Sequence, residues 1–153
     1  MSQILIALSE WLHAIATVVF VGYFLLLALI YLPVLSKGDG TALSEISKRS
    51  RSWLYVSLLI FLITGFYLTL ADPNYLGLAN FGNLWTILML VKHVLILGMI
   101  AIGFWFNAIL RVGPMMRSNS GAAQAAIRFR LYANLMAISG VIVLLLTALA
   151  QVQ

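Results

Sequence analysis

Apolar residues fall into four long blocks separated by three short polar interruptions. The blocks run from about Ile4 to Leu32, Trp53 to Ala71, Leu84 to Leu110 and Leu131 to Ala150, and Pro33 closes the first. Each is close to or longer than the roughly 20 residues an α-helix needs to cross a bilayer core. The interruptions carry the turn formers. Gly38-Asp39-Gly40 leads into Glu45, Lys48, Arg49 and Arg51; Pro73, Asn74, Gly77, Asn80 and Gly82 cluster between Asp72 and Asn83; Gly113 and Pro114 precede a second basic stretch, Arg117 to Arg130. Only helices and closed barrels satisfy their own backbone in lipid. The pattern therefore predicts an all-α integral membrane protein: a single domain over 1–153, folded as an up-down-up-down four-helix bundle.

Composition narrows the functions this fold can serve. Of 153 residues, 63% are hydrophobic and 8% charged, which leaves no material for a soluble catalytic domain. The chain has no cysteine, so disulfides, thiolate metal sites, iron–sulfur clusters and thioether-linked haem are excluded. Met1-Ser2-Gln3 carries no basic residue and no small-residue cleavage pattern follows, so the first block reads as a retained helix and not a signal peptide.

The net charge of +5 does not point to nucleic acid, because the basic residues sit beside the spans. Lys37, Lys48, Arg49 and Arg51 lie between spans one and two, and Arg111, Arg117, Arg128 and Arg130 between spans three and four. Short loops rich in Lys and Arg stay cytoplasmic. Both termini are thus expected on the extracytoplasmic side of a cell (inner) membrane. The expected partners are the lipid bilayer, a redox partner or other membrane subunits, and a second copy of the chain.

Lys92, His13 and His93 lie deep inside the spans. Lys92, the ninth basic residue, falls within span three, where a charge costs about 2.5 kcal/mol or more. It either faces the bundle or snorkels to the headgroups. His13 and His93 lie about ten and nine residues from the same end of spans one and three, which at roughly 1.5 Å per residue puts them at similar depth. At about 100° per residue, Met89, Lys92, His93, Gly103, Asn107 and Arg111 share one stripe of span three, and Ser9, Glu10, His13, Thr17 and Tyr31 one side of span one. Such stripes face protein, because lipid cannot satisfy them.

Two neutral histidines at one depth on facing helices suit a b-type haem, with Phe20, Phe24, Ile96 and Ile100 as apolar wall. Met89, one turn before His93, would complete a nitrogen and thioether set for Cu(I) with His13 and His93. A third possibility is purely structural: two interhelical hydrogen bonds, one of them to Glu10 or Lys92, in a cofactor-free subunit of a larger membrane complex.

Trp11-Leu12-His13, Val21-Gly22, Leu32-Pro33, the basic entry to span two, Thr64-Gly65, Lys92, and Asn107 to Arg111 with Pro114 follow in an order that resembles the membrane domain of copper resistance protein D (CopD). The resemblance covers nearly the whole chain and implies copper transport or resistance. The chain is also similar to the HemJ-type protoporphyrinogen oxidases, four-helix proteins that bind haem b and pair an early intramembrane histidine with a later lysine. That likeness implies a haem-binding role for His13 and Lys92; His93 is additional to the pattern and offers a second axial ligand.

Two further expectations concern packing. The spacings His13 to Pro33 and His93 to Pro114, with Thr64-Gly65 and Ser139-Gly140 on the returning spans, suggest either a repeat of two hairpins about an axis normal to the membrane or a coincidence of hairpin length. Asn107 and Asn134 are expected to face the bundle and bond across it. Topology is directly testable, because the native chain has no cysteine. A cysteine introduced at Asn80 should react with an impermeant maleimide on intact cells, and labelling only after lysis would reverse the orientation.

Overall fold

The structure is a computed structural model that describes residues 3–35, 41–75, 77, 82–109 and 122–152, without the side chains of 35, 41, 43, 44, 104–109 and 122–126. Span one is helix α1 (Gln3–Leu26), a π-helical segment (Leu27–Tyr31) and α2 (Leu32–Leu35). Span two lies in α3 (Thr41–Ala71), span three in α4 (Leu84–Ile109) and span four in α5 (Ala122–Ala150). All four are long and apolar enough to cross a membrane. The described residues contain helices and no strand. The protein is a multi-pass, all-α membrane bundle.

The helices outrun the apolar blocks in three places. Span one does not stop at Pro33: the helix widens, with Leu32 N–H bonded to the Leu27 carbonyl five residues back, and continues to Leu35. A proline ring collides with the carbonyl four residues earlier in an α-helix, and a π turn before it relieves that crowding. Span two begins well before Trp53 and span four well before Leu131. Leaving hydrocarbon does not end a helix. Glu, Lys, Arg and Ala are good helix formers, and Arg49 pairs with Glu45 one turn back at 3.3 Å, both exposed. The turn at Gly38-Asp39-Gly40, Arg111 to Arg117 and the Asn107 side chain lie outside the described residues.

Close packing joins spans one and two, three and four, and one and four. His13 meets Thr64 while Tyr23 lies beside Ser47 and Ser50, so spans one and two are antiparallel. Small residues bring span four onto span one: Ala133, Ala137 and Gly140 are buried, and a Cβ on Gly140 would lie 2.8 Å from Val21 Cγ1. Leu27, Met99 and Met136 fill the centre. Large apolar side chains such as Val18, Leu29, Ile63, Val94 and Ile138 point outward, as lipid-facing positions must.

The bundle is not closed. Among the described residues spans two and three approach each other at most marginally, and so do spans one and three. This asymmetry contradicts the hairpin repeat. A two-fold axis relating spans one and two to three and four would carry the tight one–four contact onto two–three, which is open. The Gly pairs differ likewise, since Gly65 meets His13 whereas Gly140 meets Val21. Asn134 also departs from expectation: it is exposed, with no side-chain hydrogen bond among the described residues. The small buried residues beside it, Ala133 and Ala137, occupy the face that packs, and Asn134 is left on the other.

The one–four contact yields a stability prediction. Gly140→Leu should destabilise the detergent-solubilised protein by about 1 to 3 kcal/mol through overpacking against Val21, with partial rescue by Val21→Ala in a denaturation series. Gly22→Ala, where an added Cβ meets nothing within 4 Å, should be neutral or slightly stabilising.

Candidate functional site

His13, Lys92 and His93 converge on the open seam. A cleft of about 280 Å³ is lined by His13 from span one, Phe61, Leu62, Gly65 and Phe66 from span two, and Lys92, His93 and Ile96 from span three. It brings His13, Lys92 and His93 together, as their depth and helical phase predict. It does so through a gap that span two partly fills, not by packing of span one on span three.

His13 is held on three sides. Its ring stacks on Phe61, with centroids 4.5 Å apart and planes 21° from parallel. Its Nδ1 lies 2.9 Å from Thr64 Oγ1. The Thr64 hydroxyl has one proton, and the Ile60 carbonyl at 2.6 Å, which can only accept, takes it. The imidazole therefore donates from Nδ1. The Phe61 carbonyl, 3.4 Å from the same hydroxyl, adds a second acceptor near that edge of the ring. The third side is Gly65, where a Cβ would stand 3.0 Å from His13 Cε1. Any other residue there would push the ring away.

His93 reaches the same state by a different route. Its Nδ1 lies 2.6 Å from the Met89 carbonyl, one turn back on its own helix. A carbonyl cannot donate, so Nδ1 carries the proton here too. Both rings thus engage Nδ1–H with protein oxygens and keep the Nε2 lone pair uncommitted to these bonds. Metal-ligating histidines typically have this arrangement, with the second nitrogen donating to a carbonyl or another acceptor so that tautomer and ring orientation are fixed.

Lys92 is half-buried on the cleft wall, with no described carboxylate within 4 Å. Asp72, at the end of span two, is the acidic group that acts on it electrostatically. Met89 contributes its backbone carbonyl to His93, but its side chain does not line the cleft. Among the described residues no group of three His, Cys, Asp or Glu could hold a metal ion.

The cleft walls differ from the expected ones. Ile96 lines the cleft, but Phe20 and Phe24 are buried below it in the aromatic core, where Phe20 contacts Phe24 edge-on and Phe24 contacts Tyr132. Phe61, Leu62 and Phe66 supply the wall instead. Glu10 is exposed, and neither Glu10 nor Lys92 is the hydrogen-bond partner of a histidine; those partners are Thr64 and the Met89 carbonyl. The span-two contribution was signalled in sequence only by Thr64-Gly65, a hydroxyl beside a residue without a side chain.

Compared with known protein families, curated proteins and solved structures, the chain matches none.

The His13–Thr64 bond is measurable on its own. A double-mutant cycle of His13→Ala and Thr64→Val, followed by unfolding in detergent, should return a coupling of about 0.6 to 2 kcal/mol, the range of interhelical hydrogen bonds in membranes. A coupling indistinguishable from zero would show that the two side chains do not share a bond.

Proposed function

We propose that this protein is a membrane-embedded b-type haem protein with an electron-transfer or redox role, in which His13 and His93 would hold the haem iron. The observation that carries the reading is the pair of Nδ1-protonated imidazoles on one cleft, each with Nε2 left for a ligand. The residues fit the group in other respects. Phe61, Leu62, Phe66 and Ile96 form an apolar wall, and Lys92 provides a cation for an anionic edge. The cleft is at the small end of ligand pockets, which run from about 300 Å³ upward, so a macrocycle would extend into the open seam between spans two and three. The likeness to the HemJ type points the same way. Haem supplies one-electron chemistry when bound.

In this reading the chain's own residues have separate tasks. Thr64 and the Met89 carbonyl hold the imidazole tautomers, Phe61 and Gly65 set the plane of the His13 ring, and Lys92 raises the electrostatic potential of the cleft. The copper alternative, suggested by the CopD-like order of residues, needs the Met89 thioether beside both imidazoles, and the lining of the cleft favours haem over it. We place the basic ends of the spans on the cytoplasmic side of the cell membrane and both termini outside. Lys48, Arg49, Arg51, Arg128 and Arg130 are exposed at one end of the bundle, which supports that orientation.

Lys92 also lines the cleft, which supports a second ligation scheme, His13 with Lys92 as in the HemJ type. Visible spectra of purified protein in both redox states separate the two schemes. With bis-histidine ligation, the wild type gives a reducible low-spin spectrum, and His13→Ala or His93→Ala each broadens it and lowers haem retention. Lys92→Ala then keeps a low-spin six-coordinate spectrum with a lower midpoint potential, because a nearby positive charge favours the reduced iron. Loss of haem in Lys92→Ala beside a normal spectrum in His93→Ala would select the lysine scheme. A colourless wild type that binds Cu(I), with binding weakened by Met89→Ala, would select copper. A wild type that binds neither would leave a structural subunit.

A further inference from the structure

Residues of the bundle border the cleft on three sides. The back is the His13 ring on Phe61. Toward the basic end of the bundle, Phe61 continues into Phe20 at 6.4 Å and Phe20 into Phe24 at 5.4 Å, all three buried. This aromatic column fills the core on that side of the cleft. At the opposite end the link between spans two and three is tied to itself. Asn83 Nδ2 donates to the Asn74 carbonyl at 3.1 Å, Asn74 N–H donates to Asp72 Oδ1 at 2.8 Å, and Asn83 Oδ1 accepts from Thr86 N–H at 2.8 Å. These bonds draw the ends of spans two and three together above the cleft.

The fourth side is the seam where spans two and three do not pack. Leu62 and Phe66 line the cleft and are nevertheless 40% and 67% exposed there. In a bilayer that exposure is to acyl chains, not to water.

We infer that the ligand of this cleft enters sideways from the lipid, between spans two and three, with Leu62 and Phe66 as the rim of the entrance and Lys92 meeting its anionic edge. The inference rests on the haem reading, and haem has the matching chemistry: a flat apolar body that partitions into membranes and carboxylates on one edge. An apolar wall without Lys92 would favour any lipid tail. The ammonium inside the rim selects an amphiphile whose charge must travel to that depth, because a cation there gains most from a partner of opposite sign.

The test uses the full chain in liposomes, with cysteine introduced as Phe66→Cys, or as Leu62→Cys should the first variant fold poorly. The haem-free protein is loaded from haem dissolved in the vesicle membrane, before and after the thiol is modified with a pyrene maleimide. Modification should slow loading by about tenfold or more relative to the same variant unmodified, since a bulky group on the rim obstructs entry from the lipid side. Haem loaded first should be retained after modification. The same reaction at Val18→Cys, on the exposed face of span one, should leave loading unchanged. The rim thiol should also react faster with the membrane-soluble maleimide than with an impermeant one. Equal loading with and without the plug, or faster reaction with the aqueous reagent, would overturn the lateral route while leaving the haem reading intact. Unmodified protein that takes up no haem would overturn the haem reading and the route with it.

Discussion

Hydrocarbon supplies no hydrogen-bond partner, so a polar group carried into it is costly unless the protein itself satisfies it. Several polar side chains in these spans meet that demand locally: Thr17, Ser50, Thr69 and Thr147 each bond a carbonyl of the preceding turn. His93 does the same with Met89. Two side chains of span one reach across to span two instead: Tyr23, beside Ser47 and Ser50, and His13. The partner of His13 is Thr64, and that bond ties the register of span two to span one at the depth of the cleft. Gly65, next along, lets the two helices come close enough for it. The placement of the imidazole, its tautomer and the aromatic stack with Phe61 all follow from this one requirement.

Small residues decide which helices touch. Without water to drive apolar surfaces together, spans associate where their backbones can approach closely. Gly65 on span two and Ala133, Ala137 and Gly140 on span four supply such faces against span one. The cleft faces of spans two and three carry Leu62, Phe66, Lys92 and Ile96 instead, long or bulky side chains that hold the helices apart. The resulting gap is where His13, Lys92 and His93 gather. A closed bundle would have filled that volume with side chains and left no cleft.

The polar network and the gap together give the cleft two imidazoles held by unlike means in equivalent states. One histidine is oriented by tertiary contact and the other by its own helix, yet both donate from Nδ1. Rotation of span three would carry His93 and its Met89 acceptor together, so its tautomer is independent of packing. His13 would lose its partner if span two moved. The two halves of the site therefore depend differently on the integrity of the bundle.

Much of this protein was determined by residue order alone. Four apolar blocks of membrane-spanning length dictate four helices, and absence of cysteine removes whole classes of cofactor, because both are consequences of composition and of the bilayer as solvent. Helical phase placed His13, Lys92 and His93 on protein-facing stripes, since the 100° step is a property of any α-helix. Helix ends were less legible: charged residues past the membrane boundary remain good helix formers, and a π turn carries the chain through Pro33. Only tertiary structure decided the partners. Whether Phe20 or Phe61 stands beside His13, whether Met89 offers sulfur or carbonyl, and whether spans two and three close on each other all depend on distances between helices that periodicity does not encode. Those distances are set by single small side chains such as Gly65 and Gly140, whose effect is on the neighbour that can approach them and appears only when that neighbour is in place.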